Sequence, residues 1–358
     1  MSRTDCRAGM AALLVAAGAT WQISKAQPVF WDDFEDLSVL WGNQRGNWKV
    51  VGGRYGAHAP DNNPLTFSSM PYSFGDLELE CDVIAADDGG VWLHADDSGE
   101  NGVLLVLAHG AIYWHSVVNG GTPETFGEVS NAFATGQDLH LRVTVSGGTF
   151  SAYLNGAQTP ITTHTTAMYP SGRVALYDFR SPAHNYDNVV LSGVCVGGTC
   201  CGLVSRHPDS LTVCAQGTAE LSVSMAGSGP FHYRWQAFVG GSWCDLTDLQ
   251  YGGGCLADSS ALFQGVGSDT LTITGVSEAD EAEYRCRITD SCGQVFSDGA
   301  ALAVCPPDFD CDGFVSGQDF DAYVLAFEAG DLGADFDGDG FITGIDYDLY
   351  VQSFETGC

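Results

Sequence analysis

The chain has 358 residues, with 45 Asp and Glu against 13 Lys and Arg, for a formal net charge of -32. Such a surface repels nucleic-acid backbones and anionic bilayers and draws divalent cations, so nucleic-acid binding is not expected. Apolar residues make up 45% and charged residues 16%, and there are 46 glycines, which favours turn-rich β-structure with enough apolar surface for two or three packed units.

In chain order, residues 1–26 read as a secretory signal. Arg3 and Arg7 give a basic start, Met10 to Thr20 is a short apolar run, and Ser24 and Ala26 are the small residues of a cleavage site. The apolar run is too short to span a bilayer and no other stretch is longer, so no membrane span is expected and the protein is placed outside the cell or at its surface. Cys6 would leave with the signal. The remaining twelve cysteines show neither a CxxC pair nor zinc-site spacing and are expected to form disulfides, with the connectivity open.

Residues 29–194 carry short β-rich segments separated by Gly, Asn, Asp and Pro. Leu77, Leu79, Cys81 and Val83 alternate with Glu78, Glu80 and Asp82, which predicts one apolar and one acidic strand face. Together these segments predict an antiparallel sandwich. A glycine-rich hinge with Cys195, Cys200 and Cys201 follows. Residues 203–304 then hold Trp235 shortly after a strand, and the series Asp280, Tyr284, Cys286. The tail, residues 305–358, repeats itself with a period of 27: DFDCDGFVSGQDFDAYVLAFE from residue 308, DFDGDGFITGIDYDLYVQSFE from residue 335. Phe320, Tyr323, Val324 and Phe327 fall at helical spacing, as do Tyr347, Tyr350, Val351 and Phe354, so each repeat predicts a helix whose apolar stripe needs the other copy.

The acidic loops have the spacing of a calcium site. A twelve-residue loop offers oxygens from places 1, 3, 5, 7, 9 and 12, with glycine at 6. The first loop offers Asp308, Asp310, Asp312, the Phe314 carbonyl, Ser316 and Asp319; the second offers Asp335, Asp337, Asp339, the Phe341 carbonyl, Thr343 and Asp346. Gly313 and Gly340 hold place 6. Two Ca2+ ions are expected here, and with thirteen acids and no Lys or Arg between 305 and 358, folding of the tail is expected to need them.

Three resemblances follow from these residues. The tail resembles a dockerin type I module, with Asp at place 12 and no helix before each loop. That resemblance implies a cohesin-like or other surface partner, although Gly317-Gln318 and Gly344-Ile345 depart from the family's usual recognition residues. Residues 203–304 resemble an immunoglobulin-like sandwich, which implies Trp235 as core tryptophan and Tyr284 as corner tyrosine. Val223 stands where the partner cysteine is expected, so Cys286 is expected to lack the usual bridge; Cys214 with Cys292, Cys244 with Cys255 and Cys311 with Cys358 are candidate pairs. Finally, the entry FWDDFED, the pair GGVWLHAD and AIYWHSVVNG, and the exit HNYDNVVL resemble a concanavalin-like or laminin-G-like jelly roll, a type that includes sugar-binding and keto-disaccharide hydrolase-like domains.

On that fold, a glycan groove is expected from Trp92 and His94 on one strand and Tyr113 and His115 on another, with Arg180 at its rim; a core role for the aromatics is the competing reading. A further metal site is conceivable where Asp33, Glu35 or Asp36 at the entry meet Asp187 at the exit. Glu78, Glu80 and Asp82 would be the carboxylates of a hydrolase, but three alternating acids read more simply as a solvated face, and no ExDxxE, GxSxG or HExxH motif occurs. No catalytic residue is assigned. The expectation is a mainly β, calcium-binding, exported protein that holds glycans or another extracellular surface, with a sugar hydrolase and a purely structural surface protein as the alternatives.

Overall fold

The computed structural model describes residues 28–58, 66–122, 124–179 and 183–358. The expected signal, residues 1–26, lies outside them. Among the described residues, no helix is long and apolar enough to cross a membrane.

The first body is an antiparallel sandwich organised by one long strand, Phe67–Ala86. Its first half pairs with Gly172–Asp178 and Gly42–Arg45. Its second half pairs with Gln137–Ser146 and Asn185–Cys195. Phe74 has a partner on both sides, Gly172 and Cys195, so the strand passes from one sheet to the other at this point. The front sheet continues from Gly172–Asp178 through Asp88–Ala95, Gly102–Ala108 and Ala111–Val117 to Thr125–Val129. The back sheet continues through Gln137–Ser146 and Thr149–Leu154 to Thr162–Thr165, with Pro28–Asp32 closing the other edge against Asn185–Cys195. The core between them takes alternate residues of both sheets, among them Leu79, Cys81 and Val83 from the back and Leu93, Leu105 and Trp114 from the front. Glu78, Glu80 and Asp82 take the outer face, as the alternation predicts.

A buried histidine fastens the front sheet to the exit strand. His184 accepts at Nδ1 from the Asp87 amide, 3.3 Å, and donates at Nε2 to the Tyr186 hydroxyl, 3.0 Å, which in turn accepts from the Gly90 amide at 2.9 Å. A Cβ on Gly89 would collide with the imidazole and one on Gly90 with the Leu105 carbonyl, which is why the strand carries Gly-Gly here. Full burial pushes the His184 pKa down from 6.5 to about 4, partly opposed by the nearby Asp87.

The second body is a two-sheet sandwich. One sheet runs Leu211–Cys214, Ala300–Cys305, Ala282–Asp290, His232–Val239, Ser242–Asp245, with Gly293–Phe296 on Ala282–Asp290; the other runs Thr218–Ser222, Thr270–Thr274, Leu262–Gln264. Trp235 is fully buried opposite Cys286, and the Tyr284 hydroxyl donates to the Asp280 carbonyl at 2.7 Å, a tyrosine corner. The short ribbon Leu203–Arg206 and Ser224–Ala226 lies between this body and the first. The tail holds two helices, α1 (Gly317–Ala329) and α2 (Gly344–Thr356). Between them, Tyr323 and Tyr350 stack at 3.7 Å and 6°, fully buried, and their hydroxyls reach the Ala334 and Pro307 carbonyls at 3.3 Å.

Five disulfides form among the described residues: Cys195–Cys200, Cys201–Cys292, Cys214–Cys311, Cys244–Cys255 and Cys305–Cys358. Of the expected pairs only Cys244–Cys255 occurs. Cys214 bonds the tail's first loop instead of Cys292, Cys292 bonds the hinge, and Cys358 bonds Cys305 at the tail's entry rather than Cys311. Cys81 and Cys286 remain free and buried, so the expectation that all twelve pair is corrected. Both sit in apolar cores, where burial pushes the Cys286 thiol up to about 12 and the Cys81 thiol higher still.

The His184 shift predicts a pH signature. The unfolded chain binds this proton below pH 6.5 while the folded chain resists it until about pH 4, so stability falls as pH drops through that window. The contribution of this one group is about 3 kcal/mol. Denaturant unfolding at pH 7, 5.5 and 4 should show a shallower loss for His184→Gln than for the parent chain; equal slopes would contradict the buried neutral histidine.

Candidate functional site

The tail loops are two copies of one geometry. Each begins with an aspartate that accepts the glycine amide five residues on: Gly313 to Asp308 at 3.2 Å and Gly340 to Asp335 at 2.8 Å. Both glycines have φ of 87°, a left-handed turn that a side chain resists. Each loop ends in a capping box. Ser316 and Thr343 cap their helices, and Asp319 and Asp346 return bonds to the cap amides, both at 2.7 Å. Asp319 also accepts from the Phe309 and Asp310 amides, and Asp346 from the Phe336 and Asp337 amides. The last acid of each loop therefore ties the helix start to the loop entry. For Asp346 those bonds, with Thr343 foremost, hold the carboxyl below its usual range; for Asp319 burial works the other way but the backbone donors outweigh it.

Carboxylate oxygens converge in both copies. Asp308, Asp310 and Asp312 in the first, and Asp335, Asp337 and Asp346 in the second, each place oxygens within 4.8 Å of one another. No basic side chain exists in the tail to balance them. Asp335 Oδ1 is buried with no hydrogen-bond partner. Such an all-oxygen donor set suits a hard divalent cation and suits thiophilic metals poorly. Asp339 lies in the second loop but outside its converging trio, its Oδ1 accepting the Phe341 amide at 2.8 Å. Phe314 and Phe341, expected to give only their carbonyls, are 74% and 71% exposed, so their rings serve no core.

The expected glycan groove is dispersed. Trp92 is fully buried on the outer layer of the front sheet, edge-on to Phe67 at 5.8 Å. His94 should share that layer by alternation, but its φ of 49° and the register shift opposite it swing the ring the other way. It packs on Phe150 in the inter-sheet core, and its two nitrogens meet the carbonyls of Tyr169 and Gly75 at 2.7 and 2.6 Å. Tyr113 and His115 do stand together, half-buried, edge to face at 5.2 Å, with His115 Nδ1 donating to the Glu124 carbonyl. Arg180 lies outside the described residues. Beside Tyr113 is Asp88, whose carboxyl burial pushes up to about 6.

The acids Glu78, Glu80 and Asp82 face a cross-strand base row. Arg142 meets Glu78 at 3.3 Å and His140 meets Asp82 at 2.8 Å and Glu80 at 4.0 Å. Asn188 donates to Asp82 at 2.9 Å, and the Arg142 guanidinium lies 3.8 Å over the Tyr153 ring. Their partners are those of a surface ladder. Asp33, Glu35, Asp36 and Asp187 form no converging cluster among the described residues. First and last strands do pair, but Asp33 is taken by Arg206 at 3.0 Å and Asp187 bonds the Asn188 amide at 2.7 Å.

Sequence reading missed the Arg206 guanidinium. Arg206 bridges Asp33 and the fully buried Asp32, which also accepts from the Phe34 and Ser38 amides and the Trp41 indole. Burial raises the Asp32 pKa against these donors. The only signal was a lone basic residue in an acidic chain, 173 positions away from Asp33.

No family model and no curated protein matches the chain. Among solved structures, the carbohydrate binding module CBM66 from Bacillus subtilis aligns with TM-score 0.38 and 16% identity, over 44% of this chain and 98% of its own. A chimeric titin Z1Z2 carrying an exogenous decorin peptide aligns with TM-score 0.22 and 18% identity, over 30% of this chain and 96% of its own. The first immunoglobulin domain of Dpr1, bound to that of DIP-eta, gives 0.23 and 17%, over 29% and 96%. Likenesses at these scores carry no weight for family or ligand; the β-sandwich architecture rests on the strand pairing itself.

Replacing Arg206 by Ala should cost about 2 kcal/mol, because Asp32 is left buried with one charge partner fewer. Urea unfolding would read this as a lower midpoint with an unchanged slope. A variant as stable as the parent would show that the three neutral donors suffice.

Proposed function

We propose that this chain is an exported, calcium-binding modular protein that holds a glycan or another extracellular surface. Its modules would be the sandwich of residues 29–194, the immunoglobulin-like unit of 203–304 and a dockerin-like tail of 305–358. The observation that carries the reading is the pair of converging carboxylate trios in the tail. Three like charges placed so close in each loop, with no base in the segment, repel one another, and a cation that joins them removes that repulsion. Calcium fits the ligand type, the twelve-residue spacing and the glycine at place 6. Bound there, it would be held by Asp308, Asp310 and Asp312 in one loop and by Asp335, Asp337 and Asp346 in the other. It would supply charge neutralisation that lets the two aromatic stripes pack.

Export is supported by five disulfides, a bond type that persists in oxidising compartments. Retention of a glycan is supported by partly exposed aromatic faces on rigid strands, with Tyr113 and His115 the part of the expected groove still accessible. The tail's partner would be a protein surface. A cohesin-like partner follows from resemblance only, and Ile345 at 60% exposure gives the recognition face an apolar character that the usual Ser and Thr lack.

Calorimetry on the whole chain after chelation should give two calcium ions per molecule. Asp310→Ala with Asp312→Ala should leave one, and Asp337→Ala with Asp346→Ala the other. Co-sedimentation with a polysaccharide panel should give retention without released sugar. No calcium uptake would overturn the tail assignment, and release of sugar would make the protein a hydrolase.

A further inference from the structure

Two sandwiches joined by a short ribbon leave a cleft, and one tryptophan stands in it exposed. Trp31 lies on Pro28–Asp32, where Phe30 and Asp32 point inward and are buried, so its indole must point out. It is 53% exposed, whereas Trp41, Trp48, Trp92, Trp114 and Trp235 are all at 8% or below. An indole left in water forfeits roughly 1.5–3 kcal/mol of burial, so a cluster of such surfaces marks a contact site. Across the cleft stand Phe231 and Tyr233 of the second body, both half-buried. Between these aromatics the cleft has a volume of about 290 Å³ and is also lined by Met225, Arg206 and Asp269.

The walls are fixed. Val39 donates to the Ser205 carbonyl at 2.9 Å and Gly227 to the Val29 carbonyl at 2.8 Å, stitching the ribbon to the first body. Cys201–Cys292 and the bond from the Gly202 amide to Asp290, 2.6 Å, stitch it to the second. Little ordering would remain to be done on binding. The charge of the cleft is settled as well. Arg206 is balanced by Asp32 and Asp33, and Asp269 on the opposite wall is exposed, so the cleft is net negative in a chain already at -32.

We propose that this cleft between the two sandwiches binds one neutral pyranose residue of a glycan, with Trp31 stacking on the sugar ring and Asp269 accepting from its hydroxyls. The inference rests on the glycan reading above and adds a site apart from Tyr113 and His115. A pyranose has an apolar C–H face for the indole and a rim of hydroxyls for charged side chains, and the volume suits a single ring. Uronic and sulfated sugars are turned away by the uncompensated carboxylates. Phe231 and Tyr233 close the far side; the Tyr233 phenol is already raised by burial and by Asp269, so it stays a neutral donor.

The test uses the full chain with three soluble probes in affinity electrophoresis: a neutral β-glucan, a neutral galactomannan and polygalacturonate. Retardation by a neutral probe and none by polygalacturonate is expected. Trp31→Ala and Asp269→Ala should each weaken that retardation at least tenfold, with unchanged circular dichroism, while Met168→Ala, at an exposed position outside the cleft, should leave it intact. Binding should also shift the tryptophan emission of the parent chain and of Met168→Ala, and not that of Trp31→Ala. A neutral probe held equally by parent and Trp31→Ala would overturn this site while leaving glycan binding standing. Retardation by polygalacturonate as strong as by the neutral probes would overturn the charge argument. No retardation of the parent by any probe would overturn the glycan reading, and this site with it.

Discussion

Carboxylates without matching bases are the constraint around which this molecule is built. With 45 acids and 13 Lys and Arg, most carboxylates have no cationic side chain to meet, and a buried one must be answered by other donors. Asp32 is answered by two amides, an indole and one guanidinium. Asp280 is answered by Ser259 and Ser277 at the tyrosine corner. Asp319 and Asp346 are answered by backbone amides of their own loops. The two converging trios of the tail also accept backbone amides, but no Lys or Arg stands in the segment to balance their charge, and that is the physical ground for the proposed cation.

The same scarcity of bases gives the few that exist structural weight. Arg142 and His140 pair with the acidic ladder on the back sheet, and Arg206 ties the first body to the ribbon. The proposed cation loops and the proposed cleft are both negative, and a negative site favours cations and neutral ligands over anionic ones.

Much of the architecture was legible because it is local. Alternation on Leu77 to Val83 set the strand's faces, the period of 27 set the two helices and their shared aromatic core, and Cys244 and Cys255 lie close enough in sequence to be paired by eye. What escaped depends on long range or on a single dihedral. One left-handed residue, His94, reverses the face that alternation assigns to it and removes it from the expected groove. Trp92 obeys alternation, but nothing local says that Phe67 and its neighbours cover it. The Cys214–Cys311 bond joins residues 97 apart, and its sulfur on the tail side sits inside the first acidic loop, where neither spacing nor composition announces a partner. The cleft at Trp31 exists only because two separately folded sandwiches meet.

The aromatic core of the tail makes the charge argument quantitative in principle. The stacked Tyr323–Tyr350 pair contributes about 0.5–1.5 kcal/mol beyond its buried area. Two clusters of three facing carboxylates oppose it with repulsion of the same order or more. Hydrogen–deuterium exchange over residues 305–358 of the whole chain, in calcium and in chelator, measures that balance most directly. Protection of α1 and α2 is expected to collapse in chelator and return with calcium, while the strands of both sandwiches exchange alike in the two conditions. Helices equally protected with and without calcium would contradict it.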